Sequence, residues 1–261
     1  MVVPKKSLGQ NFLRDENIAR NIAAEISPKR NDVILEIGPG TGALTAHLAD
    51  TTDHYLGIEV DPRSLELLRT RFHTSEFLHG NILDIRLADL EKRFGSKIRV
   101  VGNIPYYITS EILFWIIDQH AHVIDAVLMM QLEVARRLIA KPRTKEYGIL
   151  SVVTQLYGVA SIAFKVSRNS FFPAPAVDSA LVHVTMRRDV PLHNEELFRH
   201  IVRGTFGKRR KTLHNGLRYA GYPEEALKQL TTDLTRRPEE LSVEEFLTLT
   251  NELDPLRSSQ K

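Results

Sequence analysis

Apolar positions in the first two-thirds of this chain fall into short blocks separated by stretches with helical spacing. Val33–Ile37 (VILEI), Tyr55–Val60 (YLGIEV), Ile98–Val101 (IRVV) and Asp125–Met130 (DAVLMM) are runs rich in Val, Ile and Leu, as expected of strands buried on both faces. Between them, Ala43–Ala49 and Thr109–Asp118 read as helices, and Pro62 opens another at a position where proline fits. Ile149–Tyr157 is apolar with mixed periodicity and reads as a buried helix. Ala180–Met186 (ALVHVTM) alternates and closes the block as a strand. Strands alternating with helices predict an α/β domain whose parallel sheet is covered on both faces. The texture changes near Arg187–Asn194, where Pro191 sits in a polar linker. Beyond it come only short helical patterns, at Glu195–Thr205, Arg209–Ala220, Glu224–Leu230 and Val243–Leu249, the last opened by a capping box from Ser242 to Glu245. Two domains are therefore expected, an α/β domain over 1–189 and an all-helical one over 190–261.

Composition narrows the chemistry. The 261 residues include no cysteine, which excludes disulfides, thiolate nucleophiles and Cys-ligated zinc. No apolar run approaches the ~18–20 residues needed to cross a bilayer. No apolar h-region follows Lys5 and Lys6, so no secretory signal is expected. The formal net charge is +3, with a pI near 9.1. The chain is no polycation, and any basic function must lie in local patches.

Glu36-Ile37-Gly38-Pro39-Gly40-Thr41-Gly42 follows a strand and precedes a helix. Glycines such as Gly38 and Gly40 let the backbone turn sharply and approach a ligand. Glu59 ends the next strand, where a carboxylate accepts from a ribose diol. The spacing is GxGxG, not the GxGxxG of pyrophosphate-binding loops, which suits a nucleoside ligand without phosphate. Asn103-Ile104-Pro105-Tyr106 follows the strand Ile98–Val101 and belongs at the carboxyl edge of the sheet. An adenine N6 lone pair is delocalised into the ring and is a poor nucleophile. The Asn103 oxygen, with the Ile104 carbonyl, can accept both N6 hydrogens and aim the lone pair at a methyl donor, a gain from orientation more than basicity. Pro105 fixes the backbone, and Tyr106 offers a stacking face. Phe171-Phe172-Pro173-Ala174-Pro175 is held extended by its prolines. Its spacing alone favours a hydrophobic plug, with a second wall for a flipped-out base as the functional alternative. Lys208, Arg209, Arg210 and Lys211, with Arg203, His214 and Arg218, form the densest basic segment. On one helix, Arg203, Arg210, His214 and Arg218 would share a stripe that contacts phosphates. A solvated helix face is the competing reading.

These stretches, together with Lys6–Leu13 (KSLGQNFL), Glu36–Thr45, Glu59–Asp61, Asn103–Ser110 (NIPYYITS), Met130–Arg137, Phe171–Ala180 and Phe206–Leu213, resemble the ribosomal RNA adenine dimethyltransferases, the kasugamycin-resistance family. The resemblance implies a Rossmann-like S-adenosylmethionine-dependent methyltransferase domain with a small all-helical C-terminal domain. It implies N6,N6-dimethylation of two adjacent adenosines in a hairpin near the 3′ end of small-subunit (16S) rRNA, with a role in small-subunit biogenesis. S-adenosylmethionine is the implied cofactor, with no metal. Its implied contacts are Asn11, Leu13, Gly38, Gly40, Glu59 and Asn103. Where the family usually has an aspartate for the cofactor's adenine amine, this chain has Asn81, with Asp84 three positions on. Tyr106 and Phe171 are implied to sandwich the target base. The implied partner is small-subunit rRNA or a partly assembled small subunit, met by a monomer in the cytoplasm with no membrane involved. Three other readings compete: a large-subunit rRNA methyltransferase of the macrolide-resistance type, a mainly binding ribosome-assembly factor, and an NAD-dependent dehydrogenase. The GxGxG spacing disfavours the last.

Overall fold

The computed structural model describes residues 2–258. The chain divides into two compact units: one runs to Ala135 and resumes over Gly158–Arg187, and the other holds Arg136–Tyr157 and the chain from Arg188 onward. The single cut expected at 189/190 is thus corrected. An excursion in mid-chain also belongs to the helical unit, because its apolar residues are buried among the C-terminal helices.

The first unit begins with β1 (Phe12–Leu13) and α1 (Glu16–Ile26), which Asp15 caps through its side chain. It continues through β2 (Val33–Ile37), α2 (Thr45–Leu48), β3 (His54–Glu59), α3 (Pro62–Arg71), β4 (Glu76–His79), α4 (Leu87–Phe94), β5 (Ile98–Asn103), α5 (Thr109–Asp118) and β6 (Val123–Gln131). The helices α6 (Leu132–Leu138) and α7 (Ile149–Tyr157) precede β7 (Gly158–Val166), β8 (Phe171–Phe172) and β9 (Ser179–Met186). The main sheet has the order β4-β3-β2-β5-β6-β9-β7. The first five strands are parallel, whereas β9 runs antiparallel to β6 and to β7. A wholly parallel sheet was expected, and the antiparallel edge corrects it. The alternation of Ala180–Met186 is the pattern of an antiparallel strand, whereas every side chain of β2 is buried. Strand order reverses between β2 and β5, so their carboxyl ends face a crevice where α/β folds bind ligands.

A second ladder pairs β1 with β8, antiparallel. Beneath it Leu13 and Phe171 pack with Ala19, Ile22 and Ile26 of α1 and with Val101, Val127, Met129 and Leu181 of the sheet. This packing fastens the N-terminal segment beside the crevice.

In the second unit, α8 (Glu195–Phe206) is followed by α9 (Leu213–Tyr219), α10 (Glu224–Leu227) and α11 (Val243–Ser258). Tyr147 is fully buried and donates to the Leu241 carbonyl at 2.8 Å. Its ring meets Phe206 edge-on at 6.1 Å, and Phe206 meets Phe246 at 5.8 Å. The Ser242–Glu245 capping box forms in both directions, at 2.7 and 3.2 Å. The helix expected over Arg209–Ala220 does not start at Arg209. Residues 207–212 turn instead, and the Thr212 side chain caps α9 by accepting from the Asn215 amide. No helix among the described residues is long and apolar enough to cross a membrane.

Candidate active site at the carboxyl ends of the parallel strands

The glycine loop leaves β2 through three left-handed residues, Gly38, Gly40 and Gly42, with φ of 61°, 59° and 82°. A side chain at Gly40 would lie 2.9 Å from the Phe12 ring, so only glycine lets the N-terminal segment close over the loop. At Gly38 nothing stands within 4 Å of the place a Cβ would take. Its open side faces a solvent-open cleft lined on one side by the N-terminal segment and on the other by Asn103–Tyr106.

Glu59, at the end of β3, is 3% exposed. Its two carboxylate oxygens accept from the Gly40 and Asp61 amides, each at 2.9 Å. Burial pushes this carboxyl up, and the backbone donors of Asp61 and Gly40 pull it part of the way back. A carboxylate offers about four lone-pair sites, so two amides leave capacity for a pair of hydroxyl donors. Asp61 caps α3 and is clasped by Arg63 at 2.6 and 3.0 Å, which holds its carboxyl well below the usual range. Asp61 also accepts from the Gln10 side chain at 3.0 Å, and Gln10 in turn accepts from the Lys5 amide at 2.8 Å. This chain of bonds straps the N-terminal segment across the end of β3. Beneath the loop, Glu36 is buried and accepts from Tyr55 and Thr45. Burial pushes its carboxyl up to about 7 against those two bonds.

On the other side of β2, β5 ends at Asn103. The Asn103 side-chain nitrogen donates to the Asn11 carbonyl at 2.9 Å. That bond fixes which end of the amide is which, leaving the oxygen as the acceptor. Ile104 is anchored by its buried side chain and by its amide, which donates to the Met129 carbonyl at 3.2 Å. Pro105 is extended, with φ −61° and ψ 132°. The Tyr106 hydroxyl lies 2.6 Å from the Ser179 hydroxyl, and burial pushes its pKa up.

One cavity therefore gathers Asn11, Gly38, Gly40, Glu59, Asn103, Ile104, Pro105 and Tyr106. Leu8, Gln10, Phe12 and Val60 join them. Sequence reasoning assigned these four no role, although all four stand inside quoted motifs. Three expected residues are elsewhere. Leu13 and Phe171, 6% and 4% exposed, point into the core because β-strand alternation sends them opposite to Phe12. Asn81 is exposed, and its side-chain oxygen is taken up by the Leu83 amide at 3.1 Å, capping the turn that also carries the exposed Asp84.

The basic segment also differs from expectation. Arg203 lies on α8, Arg210 in the turn, and His214 and Arg218 on α9, so no single helical stripe exists. His214 and Arg218 lie 3.0 and 3.8 Å from Glu224. Arg209 binds Glu239 at 3.0 Å and donates to the Lys145 and Thr144 carbonyls at 2.9 and 3.1 Å. It is a structural tie rather than a phosphate contact. Lys208, Arg210 and Lys211 are exposed, and the Lys208 ammonium sits 4.9 Å from the ring centre of the exposed Tyr219.

Comparison with known proteins agrees with this geometry. The chain is 43% identical, over 98% of its length and 95% of the relative's, to the ribosomal RNA small subunit methyltransferase A of Chlorobium phaeobacteroides (strain BS1). It is 38% identical to the protein of the same name from Clostridioides difficile (strain 630), over 98% and 92% of the two chains. Among solved structures, a dimethyladenosine transferase from Plasmodium falciparum superposes with a TM-score of 0.81 at 25% identity, covering 94% of this chain and 98% of that one. The 23S rRNA methyltransferase ErmE does so with a TM-score of 0.69 at 30% identity, covering 94% and 100%. These neighbours place the first unit among the Rossmann-like methyltransferases. A model of the ribosomal RNA adenine dimethylases matches residues 3–255, a span that contains the whole cavity and both units' cores, and the chain is a member of that family.

Proposed function

We propose that this chain transfers methyl groups from S-adenosylmethionine to the N6 amines of two adjacent adenosines in a hairpin near the 3′ end of small-subunit rRNA. The observation that carries the reading is the Asn103 amide, pinned by the Asn11 carbonyl so that its oxygen is the acceptor at the cavity wall. The residues present fit the cofactor. Glu59 keeps lone pairs for a ribose diol, and the bare α-carbon of Gly38 leaves room for close approach. When bound, S-adenosylmethionine supplies an electrophilic methyl group on a sulfonium centre. The chain's own part is to hold and orient the nucleophile. Asn103 and the Ile104 carbonyl accept the two N6 hydrogens and localise the lone pair. Tyr106, braced by Ser179, stacks on the base, a contact worth roughly 1–3 kcal/mol per base. Desolvation around Glu59 and Tyr106 strengthens each of these contacts.

For RNA, the reading uses Arg203, Lys208, Arg210 and Lys211, with Tyr219 as a stacking face beside Lys208. The small subunit is preferred over the large because the relatives at 38–43% identity across nearly the full chain are named small-subunit methyltransferases. The protein then acts where ribosomes mature, in the cytoplasm, as a monomer. The test is transfer of labelled methyl groups to small subunits from a host lacking the modification, with large subunits as control. N6,N6-dimethyladenosine only in small-subunit rRNA supports the proposal. Label only in large subunits overturns the substrate, and no label with cofactor bound would mean a binding-only assembly factor.

A further inference from the structure

The two phenylalanines of Phe171-Phe172 are separated by the alternation of the strand that carries them. In the β1–β8 ladder, Phe172 stands opposite Phe12 and Phe171 opposite Leu13. Opposed residues share a face, and successive residues alternate. Leu13 and Phe171 both enter the core, so Phe12 and Phe172 share the other face. Phe12 lines the cavity and lies against Gly40. Phe172 is 44% exposed, and the Arg14 guanidinium lies 3.7 Å from its ring centre. That guanidinium is exposed and has no carboxylate or hydrogen-bond partner among the described residues. The Arg14 main chain, by contrast, is held by a 2.9 Å bond to the Ser170 carbonyl.

We propose that Phe172 and Arg14 form a nucleotide platform at the rim of the cavity, on which the base next to the adenosine undergoing methylation stacks while Arg14 contacts its phosphate. The proposal rests on the reading of the cavity as the adenosine site. Phe172 is not part of the cavity wall, so its nucleotide is a neighbour of the one inside. An aromatic face stacks on any base. A guanidinium with unused donors suits phosphate oxygens, and it lies flat on an aromatic ring. A cation stacked on an exposed aromatic and committed to no protein acceptor is therefore matched to an anionic, flat-based ligand.

Three variants test this. Phe172→Ala should raise the KM for unmodified small subunits about ten-fold or more, with kcat, S-adenosylhomocysteine affinity and Tm near wild type. Arg14→Ala should lower the slope of log affinity against log salt by about one. Phe172→Trp should keep a wild-type KM. It also adds an exposed indole to a chain whose one tryptophan, Trp115, is buried, so its fluorescence should be quenched by RNA. A wild-type KM for Phe172→Ala would overturn the platform. So would a parallel fall in kcat and Tm, which is the mark of a packing role. If wild-type protein failed to methylate small subunits while single-stranded RNA still quenched Phe172→Trp, the platform would stand and the substrate assignment would fall.

Discussion

The Asn103 amide has one nitrogen and one oxygen, and the Asn11 carbonyl can accept only from the nitrogen. This bond gives the N-terminal segment a share in orienting the acceptor. Asn103→Ala should lower kcat by ~100-fold or more, in line with what misplacing a reacting group costs, while S-adenosylhomocysteine affinity falls far less. Asn103→Asp is the sharper variant. It keeps an acceptor but sets a carboxylate against the Asn11 carbonyl, so it should be nearly as impaired. If Asn103→Asp turned over like wild type, the Asn11 bond would have no part in catalysis. The positions of Asn103, Glu59 and Gly38 were legible in the sequence because each ends or follows a strand rich in Val, Ile and Leu, which places it at the sheet's carboxyl edge. Phe171, which the resemblance puts against the target base, is buried in the core, as its spacing alone suggests. A two-residue strand has no readable period, and only the ladder with Phe12–Leu13 shows which of two adjacent phenylalanines turns inward.

At the scale of elements, one arginine in the basic run differs in kind from its neighbours. Arg209 joins Glu239 to the 144–145 backbone, all within the helical unit. Charge-assisted hydrogen bonds each contribute about 1.5–3 kcal/mol when buried. Arg209 is partly exposed, so solvent screening brings the expected loss for Arg209→Ala to about 1–2 kcal/mol. The measurement is a paired one. Arg209→Ala should lower Tm and leave the salt dependence of RNA binding almost intact. The triple change of Lys208, Arg210 and Lys211 to Ala should do the reverse, reducing the salt slope by up to about three. Equal effects on both readouts would mean the turn is not divided in this way. The basic segment misled sequence reasoning because Lys and Arg are good helix formers, and only the Thr212 cap marks where the helix restarts. Two strands of the main sheet were missed for other reasons. β4 has four residues and one buried side chain, and β7 starts directly after α7 with no breaker between Tyr157 and Gly158 except the glycine itself.

Across the whole molecule, titratable groups at both ends of the strands bear on stability with one dominant sign. Opposite the cavity, near the amino ends of the central strands, Arg99 binds Asp125 at 2.7 and 2.9 Å and Asp32 at 2.8 Å. His183 bridges Asp125 and Glu25 at 3.0 and 2.9 Å. Both ring nitrogens face carboxylates, so both can donate only when the ring is charged. The Asp125 bond, with Glu25 and against burial, accordingly raises the His183 pKa. Burial pushes the Asp125 carboxyl up, but Arg99 and His183 more than offset it and hold it below its ordinary value. Asp125 and Asp61 therefore contribute stability that is lost only as pH falls through their depressed values. His183 contributes stability that is complete below its ordinary 6.5 and is lost as pH rises through its raised value. Glu36 acts in the same direction: it favours the fold most below 4.5, and the advantage is lost by about pH 7. At about 1.36 kcal/mol per pKa unit, Glu36 alone accounts for at most ~3 kcal/mol. Glu59, raised by burial, adds to it. Between pH 5 and 8 the slopes therefore agree, and Tm should decline by several degrees as pH rises, at roughly 2–4 °C per kcal/mol for a domain of this size. Glu36→Gln should remove most of that decline, and adding His183→Gln should reduce it further, leaving the share of Glu59. The curves of wild type and double variant should differ in slope, not only in height. A wild-type Tm that climbed from pH 5 to 8 would contradict the burial assigned to Glu36. A slope untouched by either substitution would locate the titration elsewhere in the chain.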